Sequence, residues 1–244
     1  YNALSAQNAD AYNTAVGAQA MQVTTTGGYS VAVGRMALGS NTTGSNNAAL
    51  GYAALDANTT GTLNTAVGSN ALGANTTASY NTAVGYGALD ANTTGAFNAA
   101  VGSDSLGSNT TASNNTAIGH NALAANTTGA SNTAVGSLAL DAVTTGTDNT
   151  AVGHGALTAN TADANVAVGH RALEANTTGT QNTALGQRAG YQVTTGQYNS
   201  LHGWNAGGSI TTGSNNTAVG NRALDASTTS NSNTAVGYSA LSSA

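Results

Sequence analysis

The chain has no cysteine, no proline and no lysine, and charged residues make up only 5% of its 244 positions. Without cysteine there are no disulfides, no zinc–thiolate sites and no thiol nucleophile. Without lysine there is no phosphate-loop lysine and no Schiff base. The four arginines are scattered and the formal net charge is −5, so the sequence offers no basic patch for nucleic acid. Aromatics make up 5%, and no apolar run approaches the ~18 residues of a membrane-spanning helix. His-Glu-x-x-His, the EF-hand loop, Gly-x-Ser-x-Gly and the Gly-rich calcium nonapeptide are all absent. These absences argue against an enzyme, a resident metal and a cofactor.

What is present is repetition. A motif Asn-Thr-Ala-Val-Gly recurs with its glycine at Gly17, Gly34, Gly51, Gly68, Gly85 and Gly102, and so on to Gly237. The step is 17 residues throughout, except for 16 between Gly153 and Gly169. Numbered from the Asn, the unit reads N-T-A-V-G-x-x-A-L-x-A-N-T-T-G-x-x. A helix pair needs about twice this length, and Asn, Thr, Val and Gly are weak helix formers. The pattern therefore predicts an all-β parallel β-solenoid, a β-roll of about 14 coils with two short strands per 17-residue coil. Asn-Thr-Ala-Val would be one strand and Ala-Leu-x-Ala the other, with Gly and Asn-Thr-Thr-Gly at the corners. Residues 1–244 read as a single repeat domain, a segment of a longer fibre, because neither Tyr1 nor Ser243-Ala244 belongs to a capping sequence. At ~4.8 Å per coil, 14 coils would make a rod of ~67 Å with like residues stacked in ladders.

Alternation along the first strand puts Thr65 and Val67 on one face, and Asn64, Ala66 and Gly68 on the other. The Val face is expected to be the interior. The small-residue face would then be approached by the backbone of a neighbouring chain. One Val and one Leu buried per coil fall short of the backbone entropy of 17 ordered residues, which also favours association. A trimer or an end-to-end filament is expected.

The run from Asn81 to Leu89, followed by Asn92-Thr93-Thr94-Gly95, resembles repeats of bacterial surface proteins and phage tail-fibre proteins. It is also similar to the head repeats of trimeric autotransporter adhesins, although the adhesin unit is shorter. That resemblance implies a left-handed, usually trimeric β-roll, placed on a cell or virion surface, which binds host glycans or matrix. The expected function is a structural or adhesive extracellular fibre. The alternative is a binding module, either a glycan-binding or an ice-binding solenoid.

Candidate binding residues are few. Tyr80 and Phe97 share position 17 of neighbouring coils, as do Tyr12 and Tyr29; aromatic faces suit sugars, and equally serve as ladder contacts that pin register. His120, His154 and His170 share position 6, where a third metal ligand is not evident. The units holding Tyr191, His202 and Trp204 break the pattern: position 9 loses its Leu twice, position 4 takes His202, and Trp204 is expected to refill the space. The shortened unit near Asn160 reads as a one-residue deletion in a turn. Adjacent threonines leave one Thr column outside, a weak ice-binding signal. Asn41, Asn58, Asn75, Asn92, Asn109, Asn126 and Asn176 form N-glycosylation sequons.

Overall fold

The computed structural model describes residues 2–6 and 12–242. Tyr1 and Ser243-Ala244, on which the expectation of further coils rests, lie outside the described residues. Contacts divide the chain into two units, Tyr1–Asn121 and Ala122–Ala244. The first carries β1 (Thr14–Val16), β2 (Val31–Val33), β3 (Ala48–Leu50), β4 (Thr65–Val67), β5 (Thr82–Val84), β6 (Ala99–Val101) and β7 (Thr116–Ile118). The second carries β8 (Thr133–Val135), β9 (Thr150–Val152), β10 (Val166–Val168), β11 (Thr183–Leu185), β12 (Ser200–His202), β13 (Thr217–Val219) and β14 (Thr234–Val236).

Within each unit every strand pairs in parallel with the next, each repeat position on the same position of its neighbour. Thr65, Ala66 and Val67 face Thr82, Ala83 and Val84. The all-β parallel solenoid read from the repeat is the fold. The 16-residue unit keeps the register, since Val166 pairs with Thr150 and the missing residue falls in a turn. No helix among the described residues is long and apolar enough to cross a membrane.

The second expected strand is a run of turns. Leu55, Leu72 and Leu89 at position 9 have φ of 53°, 53° and 55°, and Met36 and Asn70 at position 7 have 63° and 57°. The left-handed region costs an L-residue about 1–2 kcal/mol. It persists because it directs each leucine inward and still joins the coils: Leu55 N–H donates to Ala71 O at 3.0 Å, and Leu72 N–H to Ala88 O at 3.0 Å. At position 5 only glycine serves. Gly85 has φ 140°, and a methyl there would overlap the Gly102 carbonyl one coil on.

The coil is also inside out relative to the sequence expectation. Asn64 and Ala66 are completely buried, while Thr65 and Val67 stay partly exposed and Leu50 is 50% exposed. The reason is volume. Position 9 already places one leucine in each layer, packed beside alanine at position 8 (Ala71 and Leu72, for example, are both fully buried). The room opposite then admits only alanine. The small-residue face is therefore the core and does not receive a neighbouring backbone.

One coil shows the same limit in reverse. Gly190 and Gly207 replace the leucines of two successive layers, and Leu201, fully buried, replaces the alanine at position 3. A methyl on Gly190 would come within 2.7 Å of Leu201 Cδ1, and one on Gly207 within 2.7 Å of Leu201 Cδ2. Leu201, with Val193 and Ile210, thus fills the vacated space. Trp204, expected to fill it, is 41% exposed.

Two buried amides per coil are satisfied by stacking. At position 12, Asn58 Nδ2 donates to Asn41 Oδ1 at 2.9 Å, Asn75 to Asn58 at 2.9 Å and Asn92 to Asn75 at 3.0 Å. Each also donates to a carbonyl three residues on, as Asn75 does to Ala78 O at 3.1 Å. At position 1, Asn64 Oδ1 accepts from Asn81 N–H at 3.0 Å, and Asn64 Nδ2 donates to Ala78 O at 2.8 Å. Where Val193 interrupts the position-12 ladder, Asn176 Oδ1 is left buried without a hydrogen bond.

Two substitutions test these packing rules. Asn75→Ala strands the neighbouring amides and should cost about 1–3 kcal/mol in denaturant unfolding, whereas Thr94→Ala on the exposed turn should stay within ~0.5 kcal/mol of the parent. Leu201→Ala, with glycines on both sides, should fall at the upper end of the ~2–5 kcal/mol range for emptied leucine sites.

Candidate functional surface

Side chains at positions 17, 2, 4 and 6 point outward from the strand side, because positions 1 and 3 point in. Position 17 itself sits in the left-handed region, with Tyr80 at φ 63° and Phe97 at 59°. Tyr80 and Phe97 stack at 4.9 Å between centroids and 8° between planes, and Tyr12 and Tyr29 at 5.4 Å and 21°. In each pair the ring faces cover one another, so a ligand approaching the strand side from outside meets mainly ring edges. This geometry fits the register role better than a sugar platform.

The remaining candidates lie in the second unit on three different columns. His202, at position 4 on β12, has Nε2 3.4 Å from Ser200 Oγ. Trp204, at position 6, lies under the Arg222 guanidinium at 5.6 Å. Tyr191, at position 10, is approached by Arg171 at 5.2 Å and Arg188 at 5.0 Å. Arg171 bridges Glu174 at 2.7 Å, and Arg222 bridges Asp225 at 3.2 Å. The three arginines of this unit, which look scattered in sequence, are thus collected along the position-7 edge; residue number modulo the repeat would have revealed it.

His154 and His170 stack at 5.5 Å and are exposed. Among the described residues no group of three His, Cys, Asp or Glu side chains is arranged to hold a metal ion. A groove of about 270 Å³ lies beside Gln19, Val23, Met36 and Asp56. Burial raises the Asp56 carboxyl above its ordinary pKa.

The threonine pairs divide their work. At the first Thr, Thr59 Oγ1 donates to Thr76 O at 3.0 Å and Thr93 Oγ1 to Thr110 O at 3.0 Å, so that hydroxyl column is tied into the coil stack. The second Thr column (Thr60, Thr77, Thr94) is exposed. The sequon asparagines are all fully buried, so a glycan on Asn58 or Asn75 is incompatible with the folded coil.

Comparison with family models, with curated proteins and with solved structures finds no match to the chain.

Among the acids, Asp90 carries a pH signature. Burial, joined by the Asp104 carboxylate, pushes its carboxyl above the ordinary value, against a lowering hydrogen bond from the Gly73 backbone. The folded chain therefore holds this proton more tightly than the unfolded chain. Its contribution to stability is fully present below the unfolded value and is lost as pH rises through the raised folded one. Asp90→Asn is expected to unfold at higher denaturant than the parent at pH 7, with the difference closing on acidification below the ordinary carboxylate range.

Proposed function

We propose that the chain is a structural segment of an extracellular fibre, filament or adhesin, on a cell or virion surface, and that it carries out no catalysis. The observation that supports this reading most is the persistence of the same ladders through each unit. Strand register, Thr hydroxyls and buried amides tie each coil to the next, so load is shared by many equivalent hydrogen bonds. Placement outside a cell rests on the resemblance of the Asn-Thr-Ala-Val-Gly repeats to surface and tail-fibre repeats.

The chemistry on the surface agrees. The groove beside Asp56 has one carboxyl, and the position-7 arginines are engaged with aromatic rings and, for Arg171 and Arg222, with carboxylates. Self-association with copies of the same chain is part of this reading. A binding-module reading has one observation in its favour, the outward Thr and β-branched columns of the strand side, whose even spacing could match an ordered lattice such as ice.

Two assays on the purified chain separate the readings. A structural segment should give no signal on a glycan array and no inhibition of ice recrystallisation at micromolar concentration. Dose-dependent retention on a glycan class, or ice-growth inhibition abolished by substituting Thr65 and Thr82, would replace the structural reading with the binding one.

A further inference from the structure

The first unit keeps its exposed apolar side chains on one side. Of the large hydrophobic residues that are exposed there, all but Val23 occupy positions 17, 2, 4 and 6. Leu50 is 50% exposed, Phe97 57% and Tyr86 61%. Among the described residues this face carries no carboxylate: Asp56 and Asp90 sit at position 10 and Asp104 at position 7, round the corner. Its one arginine, Arg35, lies over the Tyr52 ring at 5.6 Å. Backbone groups on the strands are already paired within the sheet, so this face offers a partner its apolar side chains, with the hydroxyls of Thr14, Thr65, Thr82 and Thr116 between them.

We infer that the strand face of the first unit is the surface through which two copies of this chain pair, sheet against sheet. The inference rests on the structural reading above and names its partner. Three features select a second copy. The face spans seven strands, which at ~4.8 Å spacing and a width of ~20 Å gives ~700 Å² per copy, close to the ~800 Å² per side of a standard stable interface. Its ridges repeat once per coil, and a partner meshes along all of them only if it has the same period, as another copy does. Finally, two such faces meet without opposing carboxylates, and a self-complementary patch is what a two-fold pair requires.

The test is light scattering coupled to size exclusion, with sedimentation, on the whole chain. The parent should be dimeric or larger at micromolar concentration. The variant Leu50→Glu/Val101→Glu changes two exposed side chains in the middle of the face; it should be monomeric, with the parent's circular dichroism. Thr60→Glu/Thr94→Glu, on the exposed turn column, should associate like the parent. Mixing Leu50→Glu/Val101→Glu with Leu50→Lys/Val101→Lys should restore pairing, an outcome that general loss of folding cannot produce. A parent that stays monomeric across the concentration range overturns the inference, as does equal loss of association in the turn-column variant. If that monomeric parent is still silent toward glycans and ice, the structural reading stands and only the pairing surface is wrong.

Discussion

Between position 9 and position 3 the interior of each coil has room for one leucine-sized side chain, and the rest of the structure follows from that limit. Leucine at position 9 takes the space, alanine at positions 3 and 8 completes the layer, and everything larger on the strand is turned outward. The exchange at Gly190, Leu201 and Gly207 makes the point within the chain itself. When the leucine is withdrawn from its usual position, a leucine appears across the core where alanine otherwise stands. Packing at close to crystal density leaves no other way to balance such a change.

A core this thin cannot supply its stability from hydrophobic burial alone, and its polar groups are stacked to make up the difference. Asparagines at positions 1 and 12 are buried in every regular layer, and each one's partners are the adjacent asparagine and a turn carbonyl. An isolated coil would leave these amides stranded, so the coils stabilise one another or not at all. The left-handed backbone at positions 7, 9 and 17 and the obligate glycine at position 5 are strained or special conformations held by the same neighbours.

Much of this was legible in the sequence. The spacing of Gly17, Gly34 and Gly51 fixes one coil per repeat, and the repeated Asn64, Asn81 and Asn98 announce an amide ladder. What alternation cannot say is which of the two strand faces is inside. It sorts Thr65 and Val67 from Asn64 and Ala66, and hydrophobicity then favours the wrong set. The corrective signal was present in the constancy of alanine at position 3 and leucine at position 9, read together as a volume rather than separately as preferences. The turn nature of Ala-Leu-x-Ala was less accessible, because leucine at positive φ runs against every local preference and is imposed by the stack. The candidate residues were legible as exceptions to their columns, but what they touch, arginine on Tyr191 and on Trp204, depends on how successive coils lie over one another.

The most direct test uses the chain's lack of cysteine, which makes any introduced thiol the sole reporter. Single variants Ala151→Cys and Val152→Cys, on β9 in the second unit, treated with a thiol-reactive dye under native conditions, compare the two faces of one strand. The account predicts that the thiol at 152 reacts with the native chain and that the thiol at 151 is protected until the chain unfolds. Rapid reaction at 151 with protection at 152 would mean that the coil is wound the other way out, and would contradict the packing limit on which the fold is explained.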